Sequence, residues 1–184
     1  MEMRKLLWLA ASAALSLALT SGAMAAPGSN PAPAAPPIAF VAYQGATVAD
    51  ATGSSSYQVV ANDTLINTGN AYSATTGVFT APVAGLYMFS GSAIVGNLGS
   101  SNILGYIYLV WNVANIQSQQ VNPYAGAFGN VYGLVLPGVV LPLAKNDTVK
   151  FVVSVGGAAS NTVSVVGGSS PYSTYFSGVY LGPQ

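Results

Sequence analysis

Past its first 25 residues the chain carries little that could do acid–base, nucleophilic or metal chemistry: Asp50, Asp63, Asp147, Lys145 and Lys150, with no histidine and no cysteine. Without histidine, a Ser-His triad, an imidazole general base and imidazole-ligated metals are excluded. Without cysteine there is no thiolate nucleophile, thiolate metal site or disulfide. A pair of carboxylates alone can hydrolyse a glycoside, provided the two face each other across the scissile bond. The three aspartates here are scattered on stretches that read as turns, and Lys145 and Lys150 flank one of these turns at Asn146-Asp147. The expectation is a non-enzymatic protein with no catalytic residue. Gly156-Gly157 and Gly167-Gly168 open no helix, so they read as hairpin corners and not as phosphate cradles.

The same scarcity of charge limits the partners. Charged residues make up 4% of the chain, against about 25% in an ordinary domain. Electrostatic capture of nucleic acid or of an anionic membrane is therefore excluded. Solubility must rest on Ser, Thr, Asn and Gln, while 52% hydrophobic and 10% aromatic content supply a core.

Residues 1–25 read as an export signal. Arg4 and Lys5 precede an apolar run from Leu6 to Leu19, and Ala23-Met24-Ala25 forms a small-x-small cleavage site. The run falls short of the roughly 20 residues that cross a bilayer, so no membrane span is expected after cleavage. The destination is secreted, extracellular, cell-surface or periplasmic. Residues 26–37 form a Pro/Ala-rich linker that should be extended and semi-rigid. From residue 38 to 184 the chain alternates short strand-like segments with Gly, Asn, Ser and Pro clusters and sustains no helical period. The spacing predicts strands at 38–43, 57–66, 71–80, 84–95, 103–112, 115–121, 130–142, 148–155 and 174–182, with loop tips at 96–101 and 158–161. The fold class is all-β.

The stretch from Asn67 to Phe89 is the most informative. Asn67 to Asn70 and Thr75 to Gly77 tolerate positive φ or bond their own backbone, so each should bend the chain. Tyr87 and Phe89 sit two apart and share one strand face with Gly91 and Ala93, a face expected to be core. Asn67, Tyr72, Phe79, Gly85, Tyr87 and Phe89 together resemble the signature of the complement component 1q globular head domain. The leading aromatic of that signature falls on Ala61 and the trailing one on Gly91. Ile38-Ala-Phe-Val-Ala-Tyr43 is similar to the family's first strand and Ser173–Leu181 to its last, so the resemblance covers about residues 38 to 182. It implies a jelly-roll sandwich of two antiparallel sheets, as in the complement and tumour necrosis factor superfamily, forming a homotrimer. Some relatives bind calcium near the trimer apex. Three isolated aspartates designate no ligand for it here, so no cofactor is assigned.

The segment Ile103–Asn112 is apolar on both faces. Ile103, Ile107, Leu109 and Trp111 form one face, and Leu104, Tyr106, Tyr108 and Val110 the other, and only one can enter a sandwich. The outward face needs a cover, which points to association. Tyr106, Tyr108 and Val110 are assigned as the candidate trimer contact. The sequence is thus read as an exported trimeric recognition head that binds a surface, polysaccharide or protein ligand multivalently. The alternative is a structural coat or surface-layer component that self-assembles. Asn62-Asp-Thr64 and Asn146-Asp-Thr148 match glycosylation sequons but read as turns.

Overall fold

Period-two alternation dominates the long strands. In the 12-residue segment Gly85–Gly96, Tyr87, Phe89, Gly91, Ala93 and Val95 are buried, and the residues that alternate with them point outward. Such a segment must be a strand with one face on a core. The computed structural model describes residues 37–52, 56–98, 104–121, 131–156, 163–168 and 173–184. The expected export signal, nearly all of the linker and the loop at 158–161 lie outside the described residues, as does the second half of the predicted tip at 96–101, whose first residue, Gly96, ends a strand.

The described residues form thirteen strands: β1 (Ala39–Tyr43), β2 (Val48–Thr52), β3 (Ser56–Gln58), β4 (Asp63–Thr68), β5 (Tyr72–Ser73), β6 (Val78–Thr80), β7 (Gly85–Gly96), β8 (Leu104–Trp111), β9 (Ala114–Val121), β10 (Tyr132–Leu143), β11 (Thr148–Gly156), β12 (Val163–Val166) and β13 (Tyr175–Gly182). They form two antiparallel sheets. The seven-stranded sheet runs β2-β12-β7-β13-β1-β4, with β10 along the other edge of β7; the six-stranded sheet runs β5-β6-β11-β8-β9, with β3 beside β11. No helix occurs among the described residues. Pro137 and Gly138 bulge out of β10 opposite Ser90, where the register shifts between Leu136 and Val139. A residue that cannot donate and one without a side chain are suited to such a break.

Three expectations change. The strand predicted at 57–66 is two strands, because the chain crosses from the six-stranded to the seven-stranded sheet between Gln58 and Asp63, burying Val59 and Ala61 on the way. The strand predicted at 71–80 is a tight hairpin of β5 and β6, reversed where Gly77 takes a φ of 67° and donates to the Ser73 carbonyl. β2 and β12, unpredicted, pair with each other and extend the sheet past β13 along β7. Backbone pairing recruits them: β2 holds few large apolar residues, and the buried Val163 and Val165 of β12 alternate over only four residues, too short a run to carry a periodic signal.

The sheets meet in an aromatic core. Phe40 stacks on Tyr72 at 4.7 Å between centroids and on Phe79 at 5.4 Å, and meets Phe176 edge-on at 4.9 Å. Phe79 packs edge-on against Tyr87 and Phe89, and Phe151 stacks on Phe176 at 5.3 Å. The buried phenols find carbonyl partners, Tyr72 donating to Ala61 at 2.9 Å and Tyr87 to Val83 at 2.8 Å. Burial pushes both hydroxyls above the ordinary tyrosine range, partly offset by these hydrogen bonds.

Candidate binding surfaces

The six signature residues all serve the fold. Asn67 clamps the backbone of Tyr72 from both sides, its amide donating to the Tyr72 carbonyl at 2.8 Å and its oxygen accepting from the Tyr72 N–H at 3.2 Å. It thereby closes a turn in which Gly69 and Asn70 both take positive φ, at 76° and 49°. Tyr72, Phe79, Tyr87 and Phe89 are core. One of the two departures from the signature is compensated. A Cβ on Gly91 would lie 3.1 Å from the Phe151 ring, so aromatic volume arrives there from the opposite sheet. At the other, Ala61 presents its carbonyl to the Tyr72 hydroxyl.

Asp147 organises the turn between β10 and β11. Its Oδ2 accepts from Trp111 Nε1 at 3.0 Å and from the Ala144 N–H at 3.0 Å, and its Oδ1 accepts from Asn112 Nδ2 at 2.9 Å. The bonds from Asn112 and Trp111, helped by the Ala144 N–H, hold the carboxyl below its usual range. A depressed folded pKa means that the native state binds fewer protons than the unfolded chain. The stabilisation is therefore complete above the unfolded value of about 3.9 and is lost as pH falls through the lower folded value. Asp147→Asn, which turns an N–H toward donors, is expected to melt several degrees below wild type at pH 7. That gap should close as pH drops below about 4, which a pH series of thermal melts will read.

The other charged residues do not converge. Lys145 is exposed in the same turn, Lys150 lies half-buried on β11 opposite Val110, and Asp63 is exposed on β4; for Asp50 only the backbone is described. Among the described residues no three acidic side chains approach one another as metal ligands would, and Asp147 is committed to its turn.

Two outward faces remain. On the seven-stranded sheet, Leu65, Val135, Val140 and Leu181 are 50–52% exposed, Ile66 48% and Met88 38%. Val140 pairs with Met88 and Met88 with Val179, and Ser90 and Ser177 share a hydrogen bond of 2.9 Å between them. Shallow grooves run beside this row, one along Val41, Met88, Ser90 and Val179, another between Val41, Tyr43, Leu65 and Tyr175. On the six-stranded sheet Ile107 and Leu109 point inward, fully buried, while Tyr106, Tyr108 and Val110 point outward and are half-buried. There Tyr106, Tyr108, Asn115 and Ser154 line a cleft of about 300 Å³.

With this topology described, the family model of the C1q domain matches residues 39–181, nearly the whole described structure. The chain belongs to the C1q domain family. Solved structures similar to this C1q domain include the tumour necrosis factor Eiger from S. frugiperda, at TM-score 0.56 and 13% identity over 82% of this chain and 96% of that one. Murine APRIL at pH 8.5 aligns at TM-score 0.52 and 9% identity over 79% of this chain and the whole of that one. At such identities the likeness establishes a shared jelly-roll fold. No curated protein matches.

Sequence reasoning named Tyr106 and Tyr108 but missed Asn115 and Ser154, which reach the C1q domain's cleft only through strand register: Asn115 pairs with Val110, and Ser154 with Tyr106. It also missed the apolar outer face of the seven-stranded sheet. The alternation in β7 and β10 carried a signal for it, since Met88, Val135 and Val140 stand at outward positions where a solvated sheet would be polar.

Proposed function

We propose that this C1q domain is an exported, non-enzymatic recognition head that works as a homotrimer and binds its ligand multivalently. The observation that carries the reading is the apolar outer face of the seven-stranded sheet. Of the large hydrophobics exposed among the described residues, six lie on strands of that sheet and none on strands of the other. A row of half-exposed Leu, Ile, Met and Val side chains on a solvated sheet is the kind of patch that marks a protein contact. Family membership supports a trimer as the form that covers it, and the leader-like residues 1–25 support export.

Association through Tyr106, Tyr108 and Val110, the face chosen from sequence, is the competing arrangement. Those residues are less exposed and border a polar-lined cleft, which favours a ligand over a subunit. Met88→Glu and Val140→Glu are each expected to reduce the light-scattering mass from three chains to one, whereas Tyr108→Glu leaves it at three. Dissociation by Tyr108→Glu alone would place the contact on β8, and arrays larger than a trimer would favour a structural coat. Three linked sites raise a weak affinity by a factor of roughly 10²–10⁴ when the ligand repeats at matching spacing. A trimer that retained nothing from a polysaccharide and surface-extract screen would overturn the recognition role.

A further inference from the structure

The geometry points to a binding site for a neutral saccharide in the cleft between Tyr106, Tyr108, Asn115 and Ser154. It rests on the reading of the head as a recognition domain and supplies that domain's site and ligand class.

The cleft is preorganised by Tyr108. Its hydroxyl donates to Ser56 Oγ at 2.7 Å, although Ser56 belongs to β3, two strands away. Ser56 pairs with Ser154 of β11, and Ser154 pairs with Tyr106. The Tyr108 ring must therefore run across β11 to reach its partner. This explains why Val152, at an outward position directly opposite Tyr108, is only 6% exposed. An aromatic side chain already fixed in place loses little rotamer entropy when a ligand packs on it. Tyr106 stands two residues back on the same face, so the cleft combines one anchored ring with a second beside it.

The lining chemistry selects the ligand. A sugar ring presents a C–H face that packs on an aromatic ring and an equatorial rim of hydroxyls, each both donor and acceptor. Tyrosine and serine hydroxyls and the asparagine amide are themselves both donors and acceptors, so Tyr106, Tyr108, Asn115 and Ser154 can match such a rim without a charge. Phosphate, sulfate or carboxylate groups would meet no cation among the four, the nearest in register being Lys150 beyond Val110. At about 300 Å³ the cleft lies at the lower end of the roughly 300–1,000 Å³ range of small-molecule sites. That suits one or two sugar rings.

The test is affinity electrophoresis of the purified chain in gels containing a neutral β-glucan, a galactomannan or a xylan, with dextran sulfate and polygalacturonate as charged controls. At least one neutral polysaccharide should retard the protein. Tyr106→Ala and Asn115→Ala should each weaken that retardation at least tenfold, with melting temperature and light-scattering mass unchanged. Tyr108→Ala should do the same but with a lowered melting temperature, since it uncovers Val152. The assignment is overturned if no neutral polysaccharide retards the chain, if only the charged ones do, or if retardation survives in both Tyr106→Ala and Asn115→Ala. Failure of the recognition reading itself would appear separately, as a folded trimer that retains nothing from the surface-extract screen either, whereas retention from that extract without retardation by any neutral polysaccharide would sink the saccharide site alone.

Discussion

Phe40→Ala is expected to destabilise the domain by about 3–5 kcal/mol, the usual cost of emptying a phenylalanine-sized space in a packed core. Phe40 is 1% exposed and lies within 6.4 Å, centroid to centroid, of four other rings, those of Tyr72, Phe79, Phe89 and Phe176. These rings come from β5, β6, β7 and β13, so the cavity would open between both sheets. The neighbours cannot collapse into it, because Tyr72 is held by its hydrogen bond to Ala61 and Phe176 is stacked on Phe151. Natural domains are stable by about 5–15 kcal/mol, so the variant should lose a large share of its denaturant midpoint in equilibrium unfolding. Phe40→Leu, which keeps most of the volume, should lose well under half as much. Equal midpoints for Phe40→Ala and wild type would show that β1 does not close the core.

Gly85→Ala should cost about 3 kcal/mol or more, combining backbone strain with overpacking. Gly85 begins β7 with a φ of 154°. A Cβ there would lie 2.5 Å from the Gly182 carbonyl oxygen and 2.5 Å from Cε2 of Tyr180. The oxygen is backbone, and the Tyr180 ring packs on Tyr87 at 5.0 Å, so neither can yield without disturbing the β7–β13 pairing. Gly133→Ala on β10 is the control, with nothing within 4 Å of its would-be Cβ, and should fall within about 0.5 kcal/mol of wild type. Thermal melts of the two variants side by side will show whether the difference is present.

Much of the fold was legible because its signals are local. Tyr87 and Phe89 announce one buried face by their spacing, and Gly69, Asn70 and Gly77 announce turns by tolerating positive φ. The crossing at 59–62 was not legible, since Val59 and Ala61 are as apolar as strand residues and nothing local says that the chain changes sheets there. β2 and β12 escaped for the opposite reason: their pairing is made by backbone groups that every sequence possesses. Asp147 read as one more solvated turn residue, and its three donors lie on Trp111, Asn112 and Ala144, two of them over 30 positions away.

The sequence by itself determined that this chain is a histidine-free, cysteine-free, nearly uncharged β-sandwich of the C1q type, because composition excludes chemistries outright and period-two patterning with glycine and asparagine turns is written residue by residue. It also determined that β8 must carry an apolar face on each side. Only the tertiary structure decided what lies beside those faces. A strand's two faces are equivalent until a second sheet covers one of them, and a cleft assembled from Ser154, Tyr106, Tyr108 and Asn115 exists only once register brings three strands together. The same closure left Met88, Val135 and Val140 outside, as exposed apolar side chains on the outer face of the seven-stranded sheet.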